Sequence, residues 1–267
     1  MTVLPSELLD HIVDLLHDSH IPLRNCCLVS KSWISRTRRH LFAKIDFPTA
    51  KRLESWKKTF SDPSTSPACY TNVLSINGPE VVAAAGVEAG SWIGSFSRVV
   101  RLEMVSQNPF AEGWEEACVL FRGFSPAIKS FRTDFPYLPS QIFDLILSFP
   151  LLEDLDVVGC FHVSVEHDGR SNGLPTVTQP SSLPLFVGSL YLDMKGGMGP
   201  IVNWLLSLPN GIHFRKLTSK WFREGDTPLT VALMEKCSRT LESLDVTEDP
   251  RGTSIGYLRP HRSKPVF

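Results

Sequence analysis

The chain has 267 residues, 42% of them hydrophobic and 21% charged, which is enough for one or two domains with real cores. A formal net charge of −1 argues against a strong electrostatic pull toward nucleic acid or an anionic membrane, and apolar runs such as VVAAAGV at 81–87 are too short to span a bilayer. Six cysteines, at positions 26, 27, 69, 118, 160 and 237, lack the C-x2-C spacing of a zinc centre and do not make a disulfide scaffold in a chain this long.

The opening MTVLPSELLDH has acidic residues and no basic leader before its apolar run, so no signal peptide is expected, and reduced thiols in cytosol or nucleus fit best. Pro5 can open a helix, because a first-turn residue has no intrahelical use for its N–H. From there Leu8, Leu9, Ile12, Val13, Leu15 and Leu16 recur at helical spacing, with Glu7, Asp10, Asp14 and Asp18 on the other face. Asp18-Ser19-His20 and Pro22 break the pattern before a second short apolar run of Leu23, Cys26, Cys27, Leu28 and Val29. Ser30 is a plausible N-cap for a third helix whose apolar face is Trp33, Ile34, Thr37, Leu41 and Phe42. Three short helices cannot hide so many large side chains in one miniature core, so some should face a partner or the rest of the chain.

Leu4-Pro5-x-Glu7-Leu8, then Ile12, Leu16 and Leu23, then Val29-Ser30-Lys31-Ser32-Trp33, resembles an F-box over roughly residues 3–43. The resemblance implies docking onto the small Skp-type adaptor of a cullin–RING ubiquitin ligase. On this reading Leu4, Pro5, Leu8, Ile12, Leu16, Leu23, Val29 and Trp33 form the adaptor interface, with Ser30 as its polar turn residue. Between the first two helices, His17-Asp18-Ser19-His20-Ile21-Pro22-Leu23 is longer than the usual family pattern and contains a proline, which leaves the register of Ile21 and Leu23 open. The competing expectation is a helical unit that packs only on its own chain.

Residues 31–58 are basic, with Lys31, Arg36, Arg38, Arg39, Lys44, Lys51, Arg52, Lys57 and Lys58 against Asp46 and Glu54. No aromatic-interleaved motif accompanies them, so they read as a solvated helix face and a basic linker. SDPSTSPA at 61–68 reads as a loop. These signals divide the chain into a helical domain at 1–47, a linker at 48–69 and a body at 70–267.

In the body a short strand-like pattern recurs, centred on Leu74, Leu102, Phe131, Leu155, Leu190, Leu217 and Leu244, at intervals of 28, 29, 24, 35, 27 and 27 residues. Leucine-rich repeats run at about 20–29 residues. The longest interval holds the Gly-, Pro- and Ser-rich EHDGRSNGLPTVTQPSSLP, read as an inserted loop. Helix-compatible pieces fall between the strands: QIFDLILSFPLL at 141–152, GPIVNWLLSLP at 199–209 and PLTVALMEKCSRTL at 228–241. The expected fold is therefore mixed α/β, a three-helix F-box followed by an irregular leucine-rich-repeat-like solenoid with a parallel sheet. This body resembles the divergent leucine-rich-repeat bodies of fungal F-box proteins, although the Asn that usually follows the strand is missing. An ordinary α/β domain with a mostly parallel sheet shares much of the pattern.

If the strands line one open face, the alternate side chains on it are Arg101, Glu103, Arg132, Asp154, Asp156, Tyr191, Asp193, Lys216, Thr218, Lys220 and Asp245, a mixed charged and aromatic surface suited to a protein target. No G-x-S-x-G, H-E-x-x-H or phosphate loop is present, and KGGMGP at 195–200 reads as a turn. His11, His17 and His20 read as solvated, and Cys160 as a buried thiol rather than a nucleophile paired with His162. The expectation is thus a non-enzyme with no catalytic residue, cofactor or metal. It would recruit a target to an SCF-type ligase from cytosol or nucleus, its partners the Skp adaptor, the cullin–RING scaffold and a protein substrate, without nucleic acid or membrane. The alternative is a repeat scaffold outside any ligase.

Overall fold

A computed structural model describes residues 5–62, 65–78, 81, 93–105, 119–124, 127–135, 141–159, 184–194, 197–209, 211–222 and 224–248. Three helices come first: α1 (Ser6–Leu15), α2 (His20–Val29) and α3 (Lys31–Leu41). Pro5 precedes α1 and its carbonyl accepts from Leu8 N at 3.1 Å and Leu9 N at 3.2 Å. Pro22, expected to interrupt the chain, instead sits in the first turn of α2, where its missing N–H costs no hydrogen bond. Ser30 is the single extended residue between α2 and α3, and its Oγ accepts from Ser32 N at 3.3 Å, as a cap should. Both α1 and α2 pack on α3.

Next come β1 (Lys44–Phe47), α4 (Ala50–Thr59), a 3-10 turn (Pro67–Tyr70), β2 (Val73–Asn77), β3 (Arg101–Val105) and β4 (Ser130–Phe135). The chain continues with α5 (Gln141–Leu147), β5 (Asp154–Gly159), β6 (Ser189–Met194), α6 (Gly199–Ser207), β7 (Lys216–Phe222), α7 (Thr227–Lys236) and β8 (Ser243–Glu248). The eight strands form one sheet in sequential order, and every neighbouring pair is parallel.

Register explains the recurring apolar pattern. Ile45, Leu74, Leu102, Phe131, Leu155, Leu190, Leu217 and Leu244 lie side by side across the sheet, one per strand. Two residues on, Phe47, Ile76, Met104, Thr133, Val157 and Leu192 make a second buried row. Over these rows lie Leu145, Ile146 and Phe149 from the α5 region and Ile201, Trp204 and Leu205 from α6, with the Phe143 and Trp204 rings 4.8 Å apart. At six of the seven strand-to-strand steps, two successive N–H groups converge on one carbonyl just before the preceding strand. Val100 and Arg101 donate to Asn72 O, Lys129 and Ser130 to Val100 O, and Glu242 and Ser243 to Arg215 O. The step from β5 to β6 differs: Gly188 N donates to Glu153 O at 3.0 Å. A Cβ on Gly188 would lie 2.3 Å from Asp154 Oδ1.

Two boundaries differ from the sequence reading. Residues 44–47, placed with the helical domain, are the first strand of the sheet, and much of the 48–69 linker is helix. The helix α4 buries Leu53 and sets Trp56 edge-on to Phe47 at 5.9 Å, because its few apolar residues share one face while Lys51 and Lys58 are exposed. The inserted loop, as far as residue 183, lies outside the described residues, as do Cys118, Cys160 and His162.

Candidate protein-interaction surfaces

The helical head has apolar stripes on two sides. One is inward: Val13 and Leu23 are buried, Cys26 joins them, and Thr37 is covered while its hydroxyl donates to Trp33 O at 2.7 Å. The other is outward: on α1, Leu8, Ile12 and Leu15 follow one another at i, i+4 and i+7 and are all exposed. On α2, Ile21 is 73% exposed, Leu28 86% and Val29 70%. Exposed apolar side chains that line up along a helix face, rather than scattered singly, make a candidate interaction surface.

A polar brace ties the head together from the other side. Arg36 Nε donates to Asp14 Oδ1 at 2.7 Å, its second nitrogen closes a bidentate pair on Oδ2, and His40 Nε2 lies 2.7 Å from Asp14 Oδ1. The Arg36 guanidinium, helped by His40, holds the Asp14 carboxyl far below the usual carboxylate range. The head meets the body where α3 contacts the 3-10 turn.

Of the residues assigned to an adaptor interface, Pro5, Leu8, Ile12 and Val29 are exposed, while Leu16 and Trp33 are half-buried. Leu23 is a correction: it is fully buried in the head, on the same inward face of α2 as Cys26 three residues on. Ser30 uses its hydroxyl as the α3 cap. Leu4 lies outside the described residues. Leu15, Ile21 and Leu28, named in the sequence only as part of the apolar pattern, were not assigned to the interface. The signal that could have found them is the second stripe itself, since one short helix with Leu8, Leu9, Ile12, Leu15 and Leu16 cannot turn all of them to one side.

The second surface is the sheet face away from the buried rows. Glu103, Arg132, Asp156, Tyr191 and Thr218 stand in one row on consecutive strands, continued by Asp245 on β8. Toward β1 the charges close on one another. Glu103 takes Lys44 Nζ and Arg101 Nε, both at 2.9 Å, and Arg101 also donates to Ser130 Oγ and Asp156 Oδ2, both at 3.0 Å. Burial opposes ionisation of Glu103, yet these hydrogen bonds from Lys44 and Arg101 keep its carboxyl below the usual range.

Toward β7 the arrangement is looser. Arg132 is 3.7 Å from Asp134, Tyr191 OH donates to Asp193 at 3.2 Å, and Lys220 Nζ stands 5.4 Å over the Tyr191 ring. A shallow depression of about 200 Å³ opens here among Arg132, Asp156, Ser189, Tyr191, Lys216 and Thr218. Two of the positions expected to face a target are otherwise engaged. Asp154 turns its carboxylate onto Ser189, accepting from its N at 2.6 Å and its Oγ at 2.7 Å, and so fastens β6 to β5. Thr218 is largely covered by its neighbours.

Among the described residues no three His, Cys, Asp or Glu side chains gather as a metal site, and no helix is long and apolar enough to cross a membrane. No family model, no curated protein and no solved structure matches this chain.

Proposed function

We propose that the protein is a substrate-recruiting subunit of an SCF-type ubiquitin ligase, working in cytosol or nucleus. The head would dock on the Skp-type adaptor through its outward apolar stripes, and the sheet body, read as a leucine-rich-repeat-like solenoid, would hold a protein target. The observation that carries the reading is the exposed stripe Leu8, Ile12 and Leu15 on α1 with Ile21, Leu28 and Val29 on α2, in a segment that resembles an F-box. The recurring pair of N–H groups on one carbonyl at six of the seven strand steps supports the repeat reading, since it is what one structural unit copied along a stack would produce. In this role the chain performs no bond chemistry. It supplies proximity, which converts an encounter between two proteins into a reaction within one assembly.

Co-expression with a Skp-type adaptor tests the reading. A stable 1:1 complex is expected by size exclusion. Ile12→Asp combined with Leu28→Asp should abolish it while the far-ultraviolet circular dichroism of the isolated chain stays unchanged, because both side chains already face solvent. If the wild-type chain with an intact head forms no complex, the ligase reading fails, and a repeat scaffold outside any ligase takes its place.

A further inference from the structure

We infer that the depression between β4 and β7 is the point at which a protein target is gripped, and that it takes an extended segment carrying carboxylates. The inference rests on the target-recruiting reading above and names the class of target. It follows from how charge is distributed across the open face. On the β1 side, Lys44 and Arg101 meet Glu103 and Asp156 at 2.9–3.0 Å, so two cations and two anions satisfy each other and offer a partner little. Asp156 also lines the depression, but its charge is already answered by Arg101.

The cations at the two ends of the depression are different. Among the described residues the ion-pair partner of Arg132 is Asp134, at 3.7 Å and a long way from a good bidentate pair. Lys216 is exposed and has no acidic partner within 4.0 Å among the described residues. Lys220 nearby is more nearly satisfied, by the Tyr191 phenol first and by Asp193 and Asp245 behind it. Between Arg132 and Lys216 the floor is low because Ser189 and Thr218 are small, and the Tyr191 ring makes one wall. Parallel strands are about 4.8 Å apart, so cations on β4 and β7 are spaced for two side chains of one extended peptide rather than for a single small anion. A low polar floor, an aromatic wall, a weakly paired Arg132 at one end and Lys216 without an acidic partner among the described residues at the other together fit an acidic, extended chain.

The test uses the full-length protein and a fluorescein-labelled hexaglutamate peptide, with hexaserine and hexalysine peptides as controls, read by fluorescence anisotropy at low salt. Hexaglutamate should bind and the controls should not. Lys216→Glu should weaken hexaglutamate binding at least tenfold, Arg132→Gln several-fold, and added salt should weaken it further. Lys51→Glu with Lys58→Glu, on the outer face of α4, should change it less than twofold. Equal losses from the α4 variant and from Lys216→Glu would reduce the effect to net charge and overturn the inference. It also falls if hexaglutamate binds no better than hexaserine, or if a single-stranded oligonucleotide binds tighter than hexaglutamate and loses that binding with Lys216→Glu. Adaptor binding, measured in parallel on the same variants, separates the two proposals: retained adaptor binding without hexaglutamate binding sinks only this one.

Discussion

The helical head and the sheet body solve the same problem in opposite ways. The body stacks one apolar side chain per strand in continuous rows and roofs them with Phe149, Ile201, Trp204 and Leu205, so these rows are covered by the chain itself. The head buries Val13, Leu23 and Cys26 and leaves Leu15, Ile21, Leu28 and Val29 in water. The body gains stability from length, because each added strand covers the one before it. Among the described residues the head has no such neighbour on its outer side, and its few buried residues are supplemented by a polar brace. The difference teaches where the proposed partner would contribute most: at the helices whose outward apolar side chains the described residues leave uncovered.

The sharpest way to break this contrast is to cut matching cavities in the two regions. Phe131, fully buried at the middle of the first row and 5.6 Å from the Phe149 ring, should cost about 3–5 kcal/mol when changed to Ala. That loss should appear as an earlier urea midpoint for the whole sheet. Leu23→Ala should instead melt the head and leave the sheet amides protected from hydrogen exchange. If Leu23→Ala lowers the urea midpoint of the sheet as much as Phe131→Ala does, head and body are one cooperative unit and the contrast is wrong.

A smaller effect is expected at Gly159, the last residue of β5. Its φ is +140°, and a Cβ there would lie 1.8 Å from the Phe135 carbonyl oxygen on the neighbouring strand. Gly159→Ala should destabilise the sheet by about 2–4 kcal/mol through strained backbone and overpacking together, read from the same urea transition. An unchanged midpoint would mean that β4 and β5 part here easily, and that the body is less tightly specified than its rows suggest.

What was legible in the sequence follows the same division. All seven strand centres read from the recurrence fall in strands and on one row, because a strand buried on one face must place an apolar residue at the same step each time. The first strand escaped notice because Lys44-Ile45-Asp46-Phe47 is four residues long, with only two inward positions, and follows directly on a helix. The α4 segment read as linker because Leu53, Trp56 and Phe60 make a narrow stripe among Lys51, Arg52, Lys57 and Lys58. In the candidate surfaces, residue type showed which side chains could meet a partner, but not which were already occupied. Nothing in the spacing of Asp154 indicates that its carboxylate closes on the Ser189 backbone, and nothing around Leu23 says that it turns inward. Both facts depend on a contact from another element.

The last way to sharpen the contrast is pH. Asp14 holds α1 to α3 as a carboxylate, with Arg36 and His40 as partners, and its folded-state pKa lies below the ordinary value of 3.8. A group with a depressed folded pKa stabilises above its unfolded value and loses that contribution as protons bind, so the brace should be complete above about pH 4 and fade below it. The carboxylate is about one-third exposed, so solvent screens the pair and the effect should be the smallest of the three. Amide exchange in α1, corrected for the intrinsic pH dependence of the chemistry, should therefore quicken as pH falls below 4, while β3–β6 amides hold steady. Asp14→Asn should remove that pH dependence and leave α1 at its low-pH exchange rate throughout. If α1 and the sheet lose protection together, acid is acting on the whole fold, and the brace is not what separates the head's stability from the body's.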